Sequence, residues 1–217
     1  MKYIAALLML IDHIGMIFYP NQIGWRILGR LAMPIFAYGI ACGFLYTSSL
    51  KKYTWRLFLF AVISQIPFQF MHQLVYGKMI GLNIGFTFLV ALGCLYFLEN
   101  MSKKTGGKQV VVGLGASGLF FLAEYLGCDY GVYGIMVVIS FYLGIKRQNK
   151  YLGYIWFALI TIVYSYISNN ELQVFALLSV IVISLLKDKR FLEPRFFFYI
   201  FYPAHMLMII LIKVTTN

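Results

Sequence analysis

Long apolar runs separated by short basic breaks fill the chain from end to end, and this alternation constrains the fold more than any other feature. The runs cover about 3–19, 30–48, 55–72, 80–98, 109–127, 131–145, 151–168, 171–186 and 196–214. A bilayer-spanning helix takes roughly 17–25 residues, so the runs predict about nine spans. Composition agrees: 62% of the 217 residues are hydrophobic and 12% charged, with a mean hydropathy of +0.83. Soluble domains are roughly half apolar and a quarter charged. A water-soluble globular enzyme, a disordered chain and a secreted disulfide scaffold are excluded. The expected fold is all-α: a polytopic transmembrane helical bundle, a single integral-membrane domain over residues 1–217.

Lys2 ahead of an apolar run has the shape of a signal peptide. Asp12-His13 interrupts that run and no small-x-small site follows, so residues 1–19 read as a retained first span. Lys2, Lys51, Lys52, Arg56, Lys103, Lys104, Lys108, Lys146, Arg147, Lys150, Lys187, Lys189, Arg190 and Arg195 fall on one side of the membrane, 14 of the 18 basic residues. Arg26, Arg30, Lys78 and Lys213 fall on the other. The positive-inside rule makes the first side cytoplasmic, with the amino terminus inside and the carboxyl terminus outside. The break at Gly127-Cys128-Asp129-Tyr130-Gly131 reads as an outer loop or a re-entrant turn.

The net charge of +11 therefore reports topology and contact with anionic headgroups. A nucleic-acid partner would need a basic surface with stacking aromatics outside the membrane, and the runs leave no room for one. The three cysteines show no Cys-x-x-Cys spacing, so neither a disulfide framework nor a metal site is expected. Gly113-x-Gly115-x-x-Gly118 matches the dinucleotide pattern in spelling only, inside an apolar span with no preceding strand.

Polar groups in hydrocarbon are costly and mark function. Asp12 and His13 lie about 15–17 Å deeper than Lys2 at 1.5 Å per helical residue, near the midplane. They read as a buried carboxylate that fixes packing, or as a histidine base with a carboxylate partner. His205, in Tyr202-Pro203-Ala204-His205, reaches a similar depth from Arg195. Arg30 reads as an outer-face anchor or as a cation turned toward Asp12 or a substrate anion. Arg56 follows Lys51-Lys52 and reads as a topology signal or a phosphate clamp. Asn83 with Thr87, and Gln65 with Gln69, share helix faces and suit interhelical hydrogen bonds. His72 reads as interfacial, Glu124 and Glu171 as flank charges, and Asp129 as a weaker candidate for acceptor binding.

Several motifs carry a family resemblance in the same order along nearly the whole chain. They are Lys2-Tyr3-Ile4-Ala5, Leu10-Ile11-Asp12-His13-Ile14-Gly15, and Gly29-Arg30-Leu31-Ala32-Met33-Pro34-Ile35-Phe36-Ala37-Tyr38. Further on come Tyr53-x-x-Arg56-Leu57, Ile63-Ser64-Gln65-Ile66-Pro67-Phe68, Asn83-Ile84-x-Phe86-Thr87 and Phe198-Tyr199-x-Phe201-Tyr202-Pro203-x-His205. In these the chain resembles the TraX family. The resemblance implies an integral-membrane acetyltransferase of a bacterial inner membrane, with cytoplasmic acetyl-CoA as donor. It implies an acceptor amine or hydroxyl at the outer face, on a protein amino terminus such as pilin or on a cell-surface glycan.

On that reading Lys52 and Arg56 hold the CoA phosphates. His13 is the general base or transient acyl acceptor, and Asp12 orients or charge-stabilises a histidine, His205 above all. Arg30 or Asn83 stabilises the thioester oxyanion. Two other classes fit the same residues. A proton-coupled transporter would use a midplane Asp and His as a relay, and a non-catalytic pilus or export scaffold would need neither.

Overall fold

The computed structural model describes residues 1–101, 107–186 and 197–216. Every secondary-structure element named among them is helical. The chain runs through α1 (Lys2–Phe18), α2 (Ile23–Gly29), α3 (Ala32–Tyr46), α4 (Leu50–Tyr76) and α5 (Ile84–Met101). It continues through α6 (Gly107–Tyr125), α7 (Gly131–Lys146), α8 (Lys150–Ile167), a 3-10 segment (Glu171–Leu178), α9 (Ser179–Leu186) and α10 (Phe197–Thr215). Five stretches are long and apolar enough to cross a membrane: Ile23–Tyr46, Leu50–Tyr76, Ile84–Met101, Lys150–Ile167 and Phe197–Thr215. Gln109–Tyr125, Gly131–Lys146 and Glu171–Leu186 are apolar but shorter.

Each of the nine expected runs holds a helix among the described residues, but two are broken and the fourth is helical only from Ile84, its residues 80–83 forming an irregular strip. The second does not open at Arg30: a short helix, α2, precedes it. The break has a chemical cause. Pro34 has no N–H to donate, and its ring crowds the carbonyl of Arg30 four residues back. Helix geometry is interrupted at Arg30-Leu31, and Arg30 is left at the joint. The eighth run is a 3-10 segment that passes into α9.

Helix α4 is longer than the expected 55–72. Ser49 Oγ accepts the Lys52 N–H at 3.4 Å and starts it. Gly77 ends it in the left-handed region at φ 67, where a side chain would be strained.

Helix α7 packs against α3, α5, α6 and α8 and buries Tyr133, Ile135, Val137, Val138, Phe141 and Tyr142. The surface turned away from this core is apolar too: Ile63, Ile66, Leu114, Ile155 and Leu211 are all exposed. A surface of that kind is stable only against lipid tails. At one end of the bundle Lys146 Nζ lies 2.9 Å from Glu99 Oε1, joining α7 to α5. Lys103, Lys104, Lys187, Lys189, Arg190, Arg195 and the side chain of Lys108, on which the orientation reading also draws, lie outside the described residues.

Candidate active site

At the opposite end of the bundle from Lys146, the last turns of α1, the α2–α3 joint and the last turns of α4 enclose a cavity of about 440 Å3. The 78–80 strip, Ile84, residues 129–130, Tyr164 of α8, Asn170 and Gln173 by the 3-10 segment, and Tyr202 of α10 complete its wall. The 78–83 strip is held there by glutamines. Gln69 donates to the Gly81 carbonyl at 2.9 Å and accepts the Ile80 N–H at 3.0 Å. Gln65 donates to the Gly81 carbonyl at 2.9 Å and accepts the Asn83 N–H at 2.9 Å.

His13 lines the cavity. Its Nδ1 lies 2.7 Å from Nε2 of His205, which is 2% exposed. The ring planes agree within 2° and the centroids are 5.0 Å apart. With so short an N···N contact, the rings meet edge to edge, not face to face. His205 Nδ1 lies 2.9 Å from the Phe201 carbonyl, which can only accept. The proton of neutral His205 is therefore on Nδ1, and Nε2 accepts. His13 must then donate from Nδ1, which leaves a lone pair on its Nε2. That is the protonation state a general base or nucleophile needs.

Asp12 does not serve His205. Its Oδ1 lies 2.8 Å from Nη1 of Arg26, at contact distance but out of hydrogen-bond alignment. Neighbouring helix positions diverge by about 100°, so a chain that turns His13 toward α10 turns Asp12 elsewhere. Gly29 makes room for the carboxylate: a Cβ there would fall 2.1 Å from Asp12 Oδ1.

Arg30 also lines the cavity, with Nη1 3.5 Å from the Tyr130 hydroxyl. Asp129 is pushed up to about 7 by burial, against the opposing pull of Arg30. The Tyr130 hydroxyl is likewise pushed up by burial.

Asn83, expected as the alternative to Arg30 for stabilising the thioester oxyanion, is spent on structure. Its amide donates to the Ala61 carbonyl at 2.7 Å and to Gln65 Oε1 at 2.8 Å, and its oxygen accepts the Gly85 N–H at 2.8 Å. It caps α5 and is fully buried. Thr87 bonds the Asp129 carbonyl. Lys52 and Arg56 sit exposed in the first turns of α4. Arg56 is 16 residues from His72 in the cavity wall, about 24 Å along the helix.

Three groups gain a place that the sequence did not give them. Arg26 is the partner of Asp12. His72 lines the cavity, its Nδ1 donating to the Phe68 carbonyl at 2.9 Å. Glu124 accepts the Val132 N–H at 2.7 Å and so caps α7.

The family model described as TraX protein matches residues 1–213. The chain belongs to the TraX family. With its apolar helices this makes it a bacterial integral membrane protein. Among relatives of this TraX chain is a probable fimbrial assembly protein FimC, serogroup H1, of Dichelobacter nodosus. It is 24% identical over 239 residues, covering 96% of this chain and 92% of the relative. An uncharacterized protein, RP591, of Rickettsia prowazekii (strain Madrid E) is 26% identical over 153 residues, covering 69% of this chain and 55% of that one. No solved structure matches.

Proposed function

We propose that the protein is an integral-membrane acyltransferase that moves an acetyl group from cytoplasmic acetyl-CoA to an amine or hydroxyl at the outer face. The observation that carries the reading is the His13–His205 hydrogen bond in the cavity wall, with the His13 Nε2 lone pair left free. The acceptor's N–H or O–H proton passes to that nitrogen as the acceptor atom attacks the thioester carbonyl. Collapse of the tetrahedral intermediate expels the CoA thiolate, which takes the proton back from His13 and leaves as the thiol. His205 Nε2 accepts from His13 Nδ1–H throughout, holding the ring and favouring the imidazolium that forms, the part a carboxylate plays in a serine-protease triad. Negative charge on the carbonyl oxygen develops in a cavity whose lining carries more cationic than anionic side chains.

Lys52 and Arg56 take the CoA phosphates at the lysine-rich end, which the excess of basic residues makes cytoplasmic. The pantetheine arm and the reach of the Arg56 side chain together then have to cover the distance along α4 between that end and the cavity. The relative named as a fimbrial assembly protein favours a protein acceptor over a glycan.

The experiment is transfer of radiolabelled acetyl from acetyl-CoA by the purified protein in lipid vesicles. His13→Ala is expected to abolish transfer and His205→Ala to cut it by about 10²-fold, the lower end of the general-base range. Folded variants that both keep wild-type rates would defeat the proposal.

A further inference from the structure

We propose that Arg30 is the docking point for an anionic group, a carboxylate or phosphate, on the molecule that enters the cavity to be acylated. The word acylated rests on the reading above; the anion site does not.

Arg30 is an under-used cation. Its Nη1 hydrogen bond to Tyr130 is at the outer limit of length, 3.5 Å. Its Nε is buried with no hydrogen-bond partner among the described residues. Of the two nearby carboxylates, Asp12 is paired with Arg26, and Asp129 feels the Arg30 charge without an ion pair to it among the described residues. A guanidinium left so in a low-dielectric wall is costly, and its planar fork matches a carboxylate or phosphate.

The surroundings have the same sign. Arg26, Arg30 and Lys78 line the cavity against Asp12 and Asp129, and Asp12 is offset by Arg26. The cavity's 440 Å3 lies within the roughly 300–1,000 Å3 of small-molecule sites. It fits a headgroup, a sugar acid or a chain terminus, but not a folded partner. The anion belongs to the acceptor and not to the donor, because the basic pair assigned to the CoA phosphates lies about 24 Å along α4 from His72.

The test is thermal unfolding of the full chain in detergent, titrated with inorganic phosphate against chloride at equal ionic strength. Wild type is expected to show a saturable rise in midpoint. Arg30→Gln is expected to bind phosphate roughly tenfold to hundredfold more weakly, the loss of a charge-assisted pair. Should that variant fail to fold, Arg30→Lys keeps the charge without the fork and is expected to give a smaller but clear loss. His13→Ala is expected to keep the phosphate response, so failed acetyl transfer and a failed anion site are told apart. Phosphatidylglycerol that competes with phosphate in an Arg30-dependent way would identify a lipid headgroup as the source of the anion, and competition by a soluble sugar acid would identify a free one. Either supports the site. No saturable response in wild type, an unchanged response in both Arg30 variants, or displacement of phosphate by CoA would overturn it.

Discussion

His13 Nδ1 lies 2.7 Å from His205 Nε2, with the two rings coplanar within 2°. The first and last helices are tied by this contact, and the lone pair left on His13 Nε2 depends on it. A replacement for His205 should work only if it accepts a hydrogen bond. His205→Gln offers an amide oxygen to His13 Nδ1–H, whereas His205→Ala offers nothing. Initial rates of acetyl transfer should therefore rank wild type, Gln, Ala. Equal loss in the two variants, with both folded, would mean that the ring of His205 is needed for packing alone.

Asp12 and Arg26 form an ion pair at 2.8 Å with side chains 15% and 21% exposed. Removing one partner strands the other, at up to about 3–5 kcal/mol for a buried pair. Arg26→Gln should lower the thermal midpoint, and adding Asp12→Asn should restore much of it. Gly29→Ala tests the same spot from its other side. Its Cβ would meet Asp12 Oδ1 at 2.1 Å, an overpacking worth about 1–3 kcal/mol. A midpoint unchanged by Gly29→Ala would show that the carboxylate has room elsewhere.

The apolar runs gave the helices because lipid exposure needs nothing but uninterrupted hydrocarbon, and hydropathy reads that directly. Depth counting from Lys2 and Arg195 brought His13 and His205 to one level. It turned Asp12 toward His205, whereas the 100° step between helix neighbours sends it to Arg26, which sits on a helix too short to register as a span. Pro34 was visible, but its effect on Arg30 was not separable from a helix start. His72 looked interfacial because the strip that makes it part of a cavity is folded back by Gln65 and Gln69, and such long-range hydrogen bonds leave no periodic trace. The polar pattern of Asn83 and Thr87 was legible as hydrogen bonding, without its partners.

Asn83 makes three side-chain hydrogen bonds while fully buried. Asn83→Ala leaves the Ala61 carbonyl, Gln65 Oε1 and the Gly85 N–H short of a partner. An unsatisfied buried group costs about 1–3 kcal/mol, so the variant should be among the least stable single changes in the chain. Transfer per folded molecule should hold, because the amide does not reach the cavity wall. A normal thermal midpoint together with lost transfer would return Asn83 to the chemistry.

Asp129 gives the protein a pH dependence of defined sign. Its carboxyl holds a proton up to about 7 in the folded state, against an ordinary value of 3.8. Between those values the folded state binds more protons than the unfolded one, so stability falls as pH rises. Below 3.8 both states are protonated and the full contribution is present. Above about 7 both are ionised, and the folded protein holds a buried carboxylate beside Asp12, partly offset by Arg30 and Arg26. Asp129→Asn removes the titration and keeps the shape. Its backbone bonds, from the Asp129 N–H to the Leu82 carbonyl at 2.7 Å and from Thr87 to its own carbonyl, stay in place. The variant should gain on wild type in thermal midpoint as pH is raised from 4 to 8, with the difference opening below about 7. Parallel curves for the two proteins across that range would show that the carboxyl ionises normally and that the cavity is wetter than its lining suggests.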